Sequence, residues 1–246
     1  MDKLIYTAMT SAKHTMSQLN TVTHNLANVS TDGFKAQLDD FRAVPVVSTD
    51  LPVQTFVVNS TIGSDLSSGV THETGRALDV AVQGKGWLVV QDANGKEAYT
   101  RSGSLKTDAN GVLQTQRGLN LVGQAGDITI PPDVTVTISR DGTVSTIPVG
   151  NTVANTTLIG QLKLANPPDN TLVRGDDGLF RTKDGSQPDA DPGVTLVAGS
   201  IENSNVNAVD SLVSMISLSR SFDMQMQLLT DAQSNDVKAS SVLTMS

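Results

Sequence analysis

The chain contains no cysteine. Disulfides, thiolate-held zinc and a cysteine nucleophile are therefore excluded. Aromatic residues make up only 3%, so any core has to be aliphatic, and 38% hydrophobic residues are enough to build one. Cations are also scarce, with 17 Lys and Arg against 25 Asp and Glu and a formal net charge of −8. Nucleic acid is gripped by clustered Lys and Arg, so the composition argues against it as a partner. No run approaches the roughly 18 apolar residues that a membrane span needs. The opening MDKLIYTAMTSAKH has no basic segment followed by an apolar one, so a cleaved signal peptide is not expected.

Glycine and proline are missing from both ends. All 20 glycines lie between Gly33 and Gly199, and all nine prolines between Pro45 and Pro192. Two breaker-free ends therefore flank a breaker-rich middle, in a chain of 246 residues that allows one large domain or two smaller units.

The ends read as helices. Ile5, Ala12, Leu19 and Leu26 recur every seven residues, and Met9, Met16 and Thr23 fill the alternate positions four residues later. This heptad pattern predicts a helix from about Lys3 to Asn28, roughly 39 Å long at 1.5 Å per residue. Ala12 and Thr23 bury little, and the β-branched Thr21, Val22 and Thr23 lower helix propensity, so the helix needs a partner. The C-terminal segment offers one through Leu212, Met215, Phe222, Met226, Leu229 and Leu243, predicting a second helix from about Asn207 to Thr244. Near Gln233 and Asp236 that seam turns polar, and Val237 and Val242 suggest a change of register.

The middle reads as β structure. TFVVNS, LDVAVQG, GWLVVQD, EAYTRSG, LNLVGQ, DITIPP, VTVTIS and LIGQLKLAN are short runs divided by turn residues. Phe34 to Gly75 is expected to be extended, with Pro45 and Pro52 holding it out of helix. Asp92-Ala93-Asn94-Gly95 and Asp108-Ala109-Asn110-Gly111 look like a repeated calcium loop. They lack ligands at the later loop positions, so hairpin turns are expected instead. Gly84 and Gly86 do not complete a phosphate loop and no helix follows them. His14 and His24 lie ten residues apart, on helix faces differing by about 80°, and do not form a metal pair. No catalytic residue, metal site or cofactor is assigned.

The stretch HNLANVSTDGFK, His24 to Lys35, is dense in polar groups. Gly33 is suited to a left-handed conformation past the helix end. Asn25 and Asn28 share a helix face and are placed to cap its last carbonyls. Beside Leu26, the Asn25 amide is also placed to bond a neighbouring chain.

NLANVSTDGFKAQ resembles the N-terminal signature of the bacterial flagellar axial proteins, the rod, hook and hook-associated proteins, and GSIENSNVNAVDSLVSMISLSRSFDMQMQLL resembles their C-terminal signature. GRALDVAVQGKGWLVVQ, EAYTRSGSL and RGDDGLFR in the middle look like the proximal-rod branch. Asp32 stands where Pro or Asn is often seen, and Asp210 where Glu is usual.

The resemblance implies an α+β fold in which paired long N- and C-terminal helices, a coiled coil, flank a central all-β domain. The implied boundaries are 1–33 for the N-terminal assembly helix and cap, 34–75 for an extended connector, 76–197 for the outer β domain and 198–246 for the C-terminal assembly helix. The assembly interface would comprise Ile5, Met9, Ala12, Met16, Leu19, Asn25, Leu26, Asn28, Gly33, Phe34, Asn205, Asn207, Leu212, Met215, Phe222, Met226 and Leu229. The implied partners are copies of the chain, neighbouring proximal and distal rod proteins and the flagellar type III export apparatus. The implied location is a rod that crosses the periplasm and carries torque from motor to hook. Weak terminal helices that order only on incorporation would limit premature polymerisation. The alternatives are a distal rod or hook paralogue, a secreted β domain that binds a ligand or acts on cell wall, and a coiled-coil adaptor.

Overall fold

The computed structural model describes residues 2–45, 55–148 and 156–244. Among them the chain runs from an N-terminal helix through a β-rich centre to a C-terminal helix, an α+β architecture. Helix α1 spans Asp2–Ala27 and helix α2 spans Ala208–Thr244, each end within one residue of the expected position. Pro52 and the side chains of Val242 and Leu243 lie outside the described residues.

The chain divides into two compact units. The first comprises Met1–Val29, Gln37–Gly63 and Val206–Ser246; the second comprises Ser30–Ala36 and Ser64–Asn205.

In the first unit α1 lies against α2, and Gln225 Nε2 donates to Ser11 Oγ at 3.0 Å and to Thr15 Oγ1 at 3.1 Å. The seven-residue row of α1 is on the covered side, with Ala12 buried and Ile5, Leu19 and Leu26 half-buried. The alternate row differs from expectation. Met9 and Met16 are 57% and 46% exposed and Thr23 is exposed too, whereas Ala8, Thr15 and Val22, three residues after each member of the first row, are covered. On α2, Met215, Phe222 and Leu229 are half-buried as expected. Their companions are Leu218, Gln225 and Ala232, while Leu212 and Met226 are exposed. The physical reason is close approach: small and β-branched side chains let the two backbones draw together, and longer methionines would hold them apart. Residues 34–75, expected as extended chain, carry the strands Gln37–Pro45 and Thr55–Ser64, which form a two-stranded sheet, and the short strand Thr71–Glu73.

The second unit holds the aliphatic core. Strand Trp87–Gln91 is the centre of it, because its unbroken apolar run is buried on both faces. Leu88 and Val90 enter a cluster with Val80, Leu105, Leu113, Leu121 and Leu196. Trp87 and Val89 pack on the other side with Tyr99, Ala165 and Phe180. A five-stranded sheet runs in the order Leu164–Ala165, Trp87–Gln91, Glu97–Thr100, Phe180–Thr182, Leu172–Arg174. A three-stranded sheet joins Val134–Ile138, Thr143–Pro148 and Thr157–Gln161. Thr195–Ala198 pairs with Val80–Gln83, and Ser200–Glu202 with Thr71–Glu73, both antiparallel. The repeated Asp-Ala-Asn-Gly segments are hairpin turns. Asp92 Oδ1 accepts the amides of Asn94 and Lys96, Asp108 Oδ1 those of Asn110 and Val112, and Gly95 and Gly111 take positive φ.

Candidate functional site

In the first unit the polar residues at the end of α1 are engaged within the chain. Asn25 pairs with the backbone of Gln37 in both directions, Nδ2 donating to its carbonyl at 2.9 Å and Oδ1 accepting its amide at 2.8 Å. One turn earlier, Thr21 Oγ1 donates to Asp39 Oδ1 at 2.9 Å. Together they fix the strand Gln37–Pro45 beside the helix. Asn28 Nδ2 donates to the His24 carbonyl at 2.9 Å, satisfying one of the acceptors that a helix end leaves open. At the start of α2, Asn207 Oδ1 accepts the amides of Val209 and Asp210, an N-cap that explains why the helix begins at Ala208.

Gly33 has a different role from the helix cap expected of it. It takes φ +67° as anticipated, but it sits in the second unit, and its amide donates to the Glu202 carbonyl at 2.7 Å. A Cβ there would overlap the Arg101 carbonyl, so both the conformation and the space require glycine.

The same contact brings a charged cluster together. Lys35 Nζ lies 2.6 Å from Glu202 Oε1 and donates to the Ser67 carbonyl, while Arg101 Nη1 lies 2.9 Å from Glu202 Oε2. All three side chains are buried. The Gly69 amide also donates to Glu202 Oε1, and Arg101 Nη2 donates to the Gly84 carbonyl. Burying charge is costly unless each group is paired and hydrogen-bonded. Burial pushes the Lys35 ammonium below its ordinary value, and the bond to Glu202 pulls it back in part.

Asn205 closes the arrangement. Its Nδ2 donates to the carbonyls of Asp65 and Ser67, and its Oδ1 accepts the Ala36 amide at 2.8 Å. Phe34 is buried beneath the Arg174 guanidinium, 4.4 Å from its ring centre. Of the residues singled out in the sequence, Gly33, Phe34 and Asn205 thus meet in one place. Lys35, Arg101, Arg174 and Glu202 were missed. The available signal was a charge inside each short motif, FKAQ, YTRSG, RGDDGLFR and SIEN, where a turn or surface role was the simpler reading.

Among the described residues no group of three His, Asp or Glu side chains is placed to hold a metal ion. The single Glu202 carboxylate is shared by two cations, and these ion pairs build a structural clasp. No helix among the described residues is long and apolar enough to cross a membrane.

Comparison with known proteins agrees on one family. Residues 5–35 match the family described as "Flagella basal body rod protein", 81–146 "Flagellar hook protein FlgE/F/G D1 domain", and 197–242 "Flagellar basal body rod FlgEFG protein C-terminal". The chain is 42% identical to "Flagellar basal-body rod protein FlgF" of Escherichia coli (strain K12) over 252 aligned residues, covering 100% of both chains. The chain belongs to the FlgF family of flagellar basal-body rod proteins. The FlgF of Salmonella typhimurium is also 42% identical over the full length of both chains. A FlgG from Buchnera aphidicola subsp. Acyrthosiphon pisum is 33% identical, with 84% of this chain and 86% of that one covered. This is a family of structural rod proteins and not an enzyme family. The stretches matched at the two ends include Lys35 and Glu202, so the buried ion pair joins the N-terminal family segment to the C-terminal one.

Proposed function

We propose that this chain is a structural subunit of the flagellar basal-body rod and polymerises through its terminal helices. The observation that carries the reading is a second apolar face on α2. Val209, Leu212, Val213 and Ile216 are 67%, 47%, 61% and 54% exposed. At 100° per residue they fall within about 100° of one another, on a face centred about 130° from the row of Met215, Phe222 and Leu229 that turns toward α1. A helix apolar on two sides needs two partners, and an exposed apolar cluster of this kind marks an interaction surface. Met9, Met16 and Met226 add adaptable apolar surface outside the α1–α2 seam.

In this reading the α1–α2 pair behaves as a coiled coil, and its outer faces receive neighbouring copies and other rod proteins. A head-to-tail interface that does not close on itself yields a helical filament. The rod crosses the periplasm and carries torque from motor to hook, and the subunit reaches it through the flagellar type III export apparatus. Identity over the full chain to FlgF proteins supports the proximal-rod branch over the distal one.

The test is the double substitution Val213→Asp with Ile216→Asp, expressed in cells lacking the native chain. Both positions are exposed in the single chain, so the purified variant is expected to melt as the parent does. It is expected to be absent from isolated basal bodies, with motility lost. Normal incorporation would contradict the reading.

A further inference from the structure

The second unit contains two neighbouring arginines, Arg117 and Arg174, with no ion-pair partner among the described residues. Arg174 is half-buried, stacked on the Phe34 ring, with Nη1 donating to the Lys35 carbonyl at 2.9 Å. Arg117, from the turn after strand Leu113–Thr115, donates Nη1 to the Asp177 carbonyl at 3.0 Å. Both guanidinium groups close on Gly178, where an added Cβ would meet Arg117 at 3.3 Å and Arg174 at 3.6 Å. Among the described residues neither arginine forms an ion pair, in a chain with eight more acidic than basic residues (25 against 17).

The acids nearby are engaged elsewhere. Asp177 gives its carboxylate to Arg181 at 2.6 Å, and Glu202 is held by Lys35 and Arg101. Asp32 lines the same cavity, but burial and the field of Asp79 push its carboxyl above the ordinary value. No arginine relieves it. Burial, and the repulsion of Arg117, likewise push the Arg174 guanidinium down. Two like charges are therefore held together, and no ion pair among the described residues joins either to the Asp32 carboxyl.

The cavity they border has a volume of about 50 Å³ and is also lined by Ser102 and Thr115. A space of that size holds water or a small polar group, a carboxylate among them. Guanidinium pairs bind carboxylates through short, directional, charge-assisted bonds, and hydroxyls add further donors.

We propose that the Arg117–Arg174 cleft is a receptor for one Asp or Glu side chain presented by a neighbouring copy of this chain. The excess of acid in the sequence makes another copy a ready source of the missing charge. The assembly reading supplies the source of the carboxylate; the existence of the cleft does not depend on it.

Two measurements test this on the full chain. The first follows the Gly178 amide by NMR during titration with sodium acetate against sodium chloride at equal ionic strength. A saturable shift specific to acetate is expected in the parent, about tenfold weaker in Arg117→Gln, as for loss of one charge-assisted bond, and largely retained in Arg117→Lys. Equal response in the parent and Arg117→Gln, with both folded by melting temperature, would overturn the receptor. The second places a photocrosslinker at position 117 in basal bodies. A crosslink to an acidic segment of a second copy is expected. Acetate binding without that crosslink, in rods that contain the chain, would overturn the neighbouring copy as the source. Absence of the chain from rods while acetate still binds would instead overturn the assembly reading and, with it, this source.

Discussion

The two units solve the problem of stability in opposite ways. The second closes on itself, with Leu88, Val90, Leu113 and Leu121 each at most 1% exposed and its three central charges paired inside. The first leaves much of its apolar surface in solvent, and its inter-helix seam is built on Ala12, Thr15, Gln225 and Ala232. A region with a closed core of this kind does not need a partner in order to fold. A region with apolar groups on both sides of a helix is a part of something larger.

The sharpest way to break the contrast is to remove the hub of the clasp. Glu202→Ala leaves Lys35 and Arg101 buried without their counter-charge. It is expected to destabilise the second unit by about 3–5 kcal/mol, the cost of breaking a buried ion pair from one side, read by denaturant melts. Next come two truncations compared directly. Leu88→Ala, in a closed core, is expected to cost about 2–5 kcal/mol, whereas Leu19→Ala, in the half-covered seam, falls at or below the low end of that range. Equal losses would erase the distinction between the units.

Asn205→Ala removes bonds to Asp65, Ser67 and Ala36, and is expected to cost about 1–3 kcal/mol. A fragment of residues 30–205 should fold alone. One ending at residue 204 should melt earlier by a matching amount, because Asn205 belongs to the β unit although it adjoins the helix.

The smallest effect is titration of Tyr99, whose buried phenol is pushed up to about 12 from 10.0 by burial and by Glu97 and Asp184. Between those values the folded chain keeps the proton and the unfolded chain loses it. Stability therefore falls as pH rises above 10, by at most about 1.4 kcal/mol per pH unit. Melts at pH 9, 10 and 11 check the sign.

The helices were legible in the sequence because glycine and proline stop where they begin, and because Ile5, Ala12, Leu19 and Leu26, like Met215, Phe222 and Leu229, repeat every seven residues. The second row of each seam was not legible. A heptad allows its alternate row three or four residues later, and Met9 and Met16 look more apolar than Ala8 and Thr15. Close packing favoured the smaller set and left the methionines outside. The clasp was hidden for another reason. Lys35 and Glu202 are 167 residues apart, and Arg101 and Glu202 are 101 apart, so nothing local marks them as partners. Asn25 was expected to cap the helix end or to bond a neighbouring chain; its amide instead pairs with Gln37, on a strand not assigned in advance.

Hydrogen exchange of the full chain, as dilute monomer and in isolated basal bodies, tests the division of labour most directly. The amides of Val80–Gln83, Trp87–Gln91 and Glu97–Thr100 are expected to be strongly protected in both states. Those of α1 and α2 are expected to exchange quickly in the monomer and to become protected in the rod. Helices already as protected in the monomer as the β core, and unchanged on assembly, would contradict the account.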